Sequence, residues 1–203
     1  MSNILDLVQS QLSGEVLEQL ANQIGGGTAE TQTAIASAVP AMLQAMTKNG
    51  TSQDGATSFA GALEKDHDGS ILTDLMGFVT SGNDTNGGSG ILSHLFGQKK
   101  PNIENVISET SGLNNAATSN LMTQLAPIVM GFLGQQKKQG GLDVGGIASL
   151  VMTQLSGAKQ NQQGGNSALD MITGLLDKEG DGVADDLMDI GKGLLGNLFG
   201  GKK

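Results

Sequence analysis

The feature that most constrains this chain is that it is written twice. Gly90-Ile91-Leu92-Ser93-His94-Leu95-Phe96-Gly97-Gln98-Lys99-Lys100 returns as Gly193-Leu194-Leu195-Gly196-Asn197-Leu198-Phe199-Gly200-Gly201-Lys202-Lys203. Upstream of each copy, Leu63-Glu64-Lys65-Asp66-His67-Asp68-Gly69 pairs with Leu176-Asp177-Lys178-Glu179-Gly180-Asp181-Gly182. Both run on into Asp-Leu-Met, at Asp74-Leu75-Met76 and Asp186-Leu187-Met188. Earlier still, Val39-Pro40-Ala41-Met42-Leu43 matches Ala126-Pro127-Ile128-Val129-Met130. Three matches in the same order predict a tandem duplication, with a first repeat over residues 1–100 and a second over 101–203.

The periodicity within each half is helical. Ile4, Val8 and Leu12 fall four apart, and Val16, Leu17, Leu20 and Ile24 continue after a break at Ser13-Gly14. Thr28 can cap a long helix with Ile35, Val39, Met42, Leu43 and Met46 on one face, stopped by Asn49-Gly50. Its counterpart runs from Asn115 through Met122, Leu125, Val129, Met130 and Leu133. Pro40 and Pro127 lie inside these two helices, where an interior proline removes a hydrogen bond and bends the axis. The pattern predicts shorter helices over 55–64, 71–79, 91–97, 103–110, 144–156, 168–176 and 184–198, and no strand. Residues 81–89 and 157–166, rich in Gly, Asn, Gln and Ser, read as linkers with nothing to bury. The expected fold is all-α, a tandem pseudo-repeat of short helices with a Pro-kinked central helix in each half.

Composition narrows the function. The 203 residues include 20 acidic side chains and 11 basic ones, a net charge of −9, and every basic residue is Lys. Without Arg, the bidentate contacts that favour phosphate and guanine are missing, so nucleic acid is not an expected partner. Two His and no Cys leave little for a zinc site or a thiol nucleophile. Five Phe, with no Tyr or Trp, cannot fill a core, which must be built from Leu, Ile, Val, Met and Ala. Glycine, at 32 residues, is about twice its usual share. No stretch approaches the roughly 18 apolar residues of a membrane span, and the opening Met1-Ser2-Asn3-Ile4 lacks the pattern of a secretory signal. The expected location is the cytoplasm.

The proline-interrupted Ala/Leu helix, the Asp-Gly turn before Asp-Leu-Met, and the Gly-Leu-Leu-Gly-x-Leu-Phe-Gly ending together resemble the bacterial proteins of domain of unknown function 937. The resemblance covers most of the chain. It implies an all-helical bacterial protein and supplies no mechanism.

The best candidate for chemistry is the acidic loop 177–189. With Asp177 as position 1 of a calcium loop, Glu179 and Asp181 fall at 3 and 5, Gly182 at the turn, the Val183 carbonyl at 7 and Asp185 at 9. Position 12, where a bidentate Glu completes such a site, is Met188, so Asp186 or Asp189 would have to close the sphere. The competing reading is an acidic helix start, in which the carboxylates cap free amides and meet the helix dipole. The first-half loop is poorer, with Leu72 and Leu75 at the corresponding ninth and twelfth positions. His67 and His94 have no counterparts in the second half, where Gly180 and Asn197 stand, and are expected to be solvent-exposed. Gly25-Gly26-Gly27-Thr28 lacks the Gly-Lys-Ser/Thr of a phosphate loop, and no Gly-x-Ser-x-Gly elbow occurs. A hydrolase built on carboxylates alone would have neither aromatic platform nor Arg to hold a substrate.

The paired endings place Leu194, Leu195, Leu198 and Phe199 along one side of a short segment followed by two Lys. Such a segment can enter a partner groove or lie on a membrane surface, but an acidic body is repelled by anionic lipid. The expected function is therefore non-enzymatic: a helical interaction or assembly protein whose partner is itself or another protein. A calcium-responsive module and a peripheral membrane-surface protein stand as alternatives. Calorimetry separates the two readings of the acidic loop. A calcium site gives binding heat that Asp181→Asn weakens, whereas a cap gives none up to millimolar calcium and tolerates Asn, which caps about as well as Asp.

Overall fold

A computed structural model describes residues 4–49, 61–63, 67, 69–82, 87–140 and 167–177, with 149 and 153 as single helical positions. The described residues form eight α-helices and two short 3-10 turns, without a strand among them. In chain order the first three are α1 (Ile4–Gln11), α2 (Glu15–Ile24) and α3 (Thr28–Asn49). A 3-10 turn, Ser70–Asp74, then leads into α4 (Leu75–Ser81), followed by α5 (Gly88–Phe96). A second 3-10 turn, Gly97–Lys99, leads into α6 (Lys100–Ser111), α7 (Asn115–Gly140) and α8 (Ser167–Asp177).

Two of these helices have no outward face over much of their length. In α3 every residue from Ser37 to Leu43 is buried, and in α7 every residue from Gln124 to Gly134. A helix that is apolar all round can only sit inside a protein. The two pack against each other, and α1, α2, α5 and α6 each touch both of them. Fully buried Ile4, Leu20, Leu92, Ile103 and Ile107 turn inward from these covering helices. Each such side chain contributes roughly 1.5–3 kcal/mol on leaving water.

Local signals set the helix ends. Gly25, at φ 74°, closes α2, with its N–H and that of Gly26 donating to the carbonyls of Asn22 and Ala21 at 3.2 and 2.9 Å. Gly112, at φ 83°, closes α6, donating to Ser108 O at 2.9 Å. Asn114 Oδ1 accepts from Ala117 N at 2.8 Å and caps α7, and Asp74 Oδ1 accepts from Gly77 N at 2.8 Å and caps α4. The start of α3 differs from expectation. Thr28 is already helical, and the carbonyl that accepts the first-turn bond, from Thr31 N at 2.9 Å, belongs to Gly27.

The elements expected at 28–48, 71–79, 91–97, 103–110 and 168–176 are present, with ends shifted by a few residues. The second long helix runs seven residues beyond Leu133, the last position of its apolar pattern, to Gly140. Helix 55–64 is described only at 61–63, helix 144–156 only at 149 and 153, and both are helical there. The linker 157–166 and helix 184–198 lie outside the described residues. Of the linker 81–89, Ser81 ends α4, and Gly88 and Ser89 already belong to α5.

Gly134 of α7 and Gly88 of α5 mark where backbone meets backbone, and Gly131 leaves room for a side chain. At Gly134 an added Cβ would overlap the carbonyl oxygen of His67, and at Gly131 it would lie 2.6 Å from Ile71 Cγ2. Pro127 has no N–H to offer Thr123 four residues back, and the carbonyl of Thr123 faces Gly88 so closely that a Cβ there would overlap the oxygen. This close approach corrects the expectation for His67. It is not exposed but 8% accessible, because its backbone is drawn down onto Gly134 with its N–H bonded to Ala62 O at 3.1 Å. His94, on α5, is exposed as expected.

Gly134→Ala should destabilise the fold by about 1–2 kcal/mol, since overpacking against a backbone carbonyl exceeds the gain of about 1 kcal/mol in helix propensity. Gly90→Ala, in α5 with nothing near its added Cβ, should stabilise by up to about 1 kcal/mol. Urea denaturation of the two variants checks both signs.

Candidate interaction surface

The acidic loop begins where α8 ends. Helix α8 lies against α3 and α6, with Ile172 and Leu176 buried and Met171 exposed. The Gln44 amide donates to Thr173 Oγ1 at 3.1 Å. At the last turn two ammonium groups converge on one carbonyl: Lys48 Nζ and Lys99 Nζ donate to Leu176 O at 3.0 and 2.9 Å. A carbonyl oxygen has two lone pairs and can accept both. Cations at the negative end of a helix are favourable, so this pair anchors α8 and sets positive charge at the foot of the acidic run. Lys48 was legible as a basic residue in the last turn of its own helix. That it serves another helix, 128 residues away in sequence, was not.

Of the six residues read as calcium ligands, only Asp177 falls within the described residues, as the last position of α8. Glu179, Asp181, Val183, Asp185 and Asp186 lie outside them, as do Glu64, Lys65, Asp66 and Asp68 of the first-half loop. Among the described residues no group of three or more His, Cys, Asp or Glu side chains could hold a metal. Many hydroxyls of the long helices turn back on their own backbone. Thr31 Oγ1 donates to Gly27 O at 2.7 Å, Thr33 Oγ1 to Ala29 O at 2.9 Å, and Thr118 Oγ1 to Asn114 O at 3.0 Å. These bonds satisfy polar groups beside a tightly packed core.

One cavity of about 230 Å³ opens between α1, α2 and α3. Its walls are Leu12, Leu17 and Ile35, with Gln9 and Gln32 at the polar side and the Ser13-Gly14 turn at one end. A shallower and more open hollow of about 430 Å³ lies between Gly69, Ser70 and Thr73 and the end of α7. The enclosed apolar walls suit a hydrophobic side chain, whereas the open hollow is lined by Gln135, Lys138 and Gln139 and is polar.

The model of a bacterial protein family of unknown function, domain of unknown function 937 (DUF937), matches residues 6–136 and 140–203. The chain belongs to this family. No curated protein and no solved structure matches it. The two matched segments of this DUF937 chain run through all eight helices and take in both the acidic loop and the apolar ending. No helix among its described residues is long and apolar enough to cross a membrane.

Because Lys48 and Lys99 share one acceptor, replacing either by Met should leave α8 nearly as protected as before, and replacing both should loosen it. The double variant is expected to lose about 0.5–1.5 kcal/mol of local stability. Hydrogen exchange of the amides in 169–177 should then rise severalfold, with the rest of the bundle unchanged.

Proposed function

We propose that this DUF937 chain is a non-enzymatic helical assembly protein that associates with copies of itself, built as a tandem pseudo-repeat. Support for the repeat comes from a constant offset of 87 residues. It carries Thr28 to Asn115 and Pro40 to Pro127, so each proline stands 12 residues into its helix (40 − 28 and 127 − 115). It also carries the helix-ending Gly25 to Gly112 and the buried Thr31 to the buried Thr118, whose hydroxyls bond the carbonyl four residues back in both cases. Buried Ile35, Val39, Met42, Leu43 and Met46 fall on buried Met122, Ala126, Val129, Met130 and Leu133. The same register sets α1 on α5, with buried Leu5 and Val8 on buried Leu92 and Leu95.

The two copies relate as partners across an approximate two-fold axis. The helices α1 and α5 each pack on both long helices, and so do α2 and α6. Gly26 and its counterpart Leu113 meet, Leu113 Cδ2 filling the space where a Cβ on Gly26 would be. In an isologous arrangement a residue meets its own equivalent where it lies at the axis. In this reading Pro40 and Pro127 bend their helices at the same place.

The observation that carries the function is the third copy of the α5 motif. In α5, Leu92, Leu95 and Phe96 are buried on the long helices. Leu195, Leu198 and Phe199 repeat that pattern near the end of the chain, after both places for such a helix in the bundle have been taken by α1 and α5. A further copy of a core-seeking motif, with no place left for it on the long helices, is a contact for another copy of the chain. Light scattering from micromolar to millimolar chain should show mass above the monomer, and Leu198→Asp should return it to the monomer. A strict monomer throughout that range would overturn the reading.

A further inference from the structure

The 87-residue register sets Gln9 against Phe96 (96 − 9 = 87), and the two halves differ most at that point. Phe96 is 4% exposed and belongs to the core, whereas Gln9 is half-buried and lines the cavity between α1, α2 and α3. The first copy thus lacks the aromatic ring that the second copy supplies to itself, and a cavity of about 230 Å³ stands beside the position. An engineered apolar cavity of about 150 Å³ holds benzene, so this one has room for a phenyl group. Its apolar walls, Leu12, Leu17 and Ile35, are joined by Gln9, Ser13, Gly14 and Gln32, and none of these contributes a charge.

The chain contains a third instance of the same motif with its ring in place. Leu95-Phe96-Gly97 recurs as Leu198-Phe199-Gly200, followed by Lys202 and Lys203. Acidic residues neighbour the lining residues of the cavity along α1 and α2. Exposed Glu15 and Glu18, in the first turn of α2, follow directly on the Ser13-Gly14 turn that closes one end of it, and exposed Asp6 stands on α1. A ring followed by two Lys therefore suits, in size and in charge, a partly apolar cavity whose flanking helix turns carry exposed carboxylates.

We infer that this cavity is the docking site for Phe199 from the tail of a second copy of the chain, with Lys202 and Lys203 against Glu15 and Glu18. The inference rests on the self-association proposed above and names its contact surface. Head-to-tail docking of this kind is heterologous, so it links copies into rings or open chains rather than closing a single symmetric pair. Buried aromatic anchors of this sort commonly dominate an interface.

Two experiments on the full chain test it. Gln9→Phe gives the first copy its own ring: it should raise the melting temperature by filling the cavity and weaken association about tenfold, as Phe199→Ala should also do. Because the chain has no Cys, the pair Gln32→Cys and Gly201→Cys reports the contact directly, and mild oxidation should give disulfide-linked dimers and higher species. Adding Glu15→Lys and Glu18→Lys should reduce that yield. Association that persists unchanged in Gln9→Phe, with no bridge formed, would overturn this docking site and leave self-association standing. A bridge only within single chains would overturn the second-copy occupant. A chain that stays monomeric and forms no bridge would overturn self-association and the docking site together.

Discussion

The structure depends on two helices that cannot live at a surface. From Ser37 to Leu43 and from Gln124 to Gly134 no residue of α3 or α7 is exposed, so each needs cover on every side. They supply part of it to one another, and α1, α2, α5 and α6 supply the rest by lying across both. The prolines at 40 and 127 sit within these buried stretches, and neither has an N–H to donate to the carbonyl four residues back. At Pro127 the bundle answers with Gly88, which brings α5 down on the carbonyl of Thr123. The break in the ladder thus becomes a place of close contact between two helices.

A core almost without aromatic rings imposes its own geometry. With Leu, Ile, Val, Met and Ala as the main fillers, density comes from close approach of backbones more than from large side chains. The glycines at 88 and 134 are where that approach is closest, each against the carbonyl oxygen of a different neighbouring segment. Polar groups near this core are handled locally. Hydroxyls at Thr31, Thr118 and Ser111 bond back to their own helices. Where a helix end must be anchored from outside, long Lys side chains reach it, as Lys48 and Lys99 do at Leu176. Their flexible stems let the charge remain near solvent while the chain packs on apolar surface.

What was legible of any site in this chain was uneven. The Gly-Leu-Leu-Gly-x-Leu-Phe-Gly ending and its earlier copy stood out because a motif repeated in order is detectable without a structure. The acidic run was visible for the same reason, yet its carboxylates alone do not separate a metal loop from a helix cap, since both uses want Asp at the same spacing. The cavity beside Gln9 could not be read at all. A Gln three residues before a core Leu on a helix face looks like any solvated position, and it gains meaning only against Phe96 at the matching place in the other half.

The sequence by itself determined that the chain is helical, where most of its helices lie, that two long ones carry an internal proline, and that its surface is acidic and free of Arg. These follow from local rules: apolar residues three and four apart, Gly at helix ends, and residue types simply present or missing. The tertiary structure alone decided the rest. His67 reads as a surface residue between acidic neighbours, and it is buried because Gly134, 67 residues later, leaves room for its backbone. Gly26 meets Leu113, and Leu176 receives Lys48 and Lys99, through contacts between residues far apart in the chain. No periodicity encodes which face of one helix will meet which turn of another; that depends on how all the covers fit around the central pair at once.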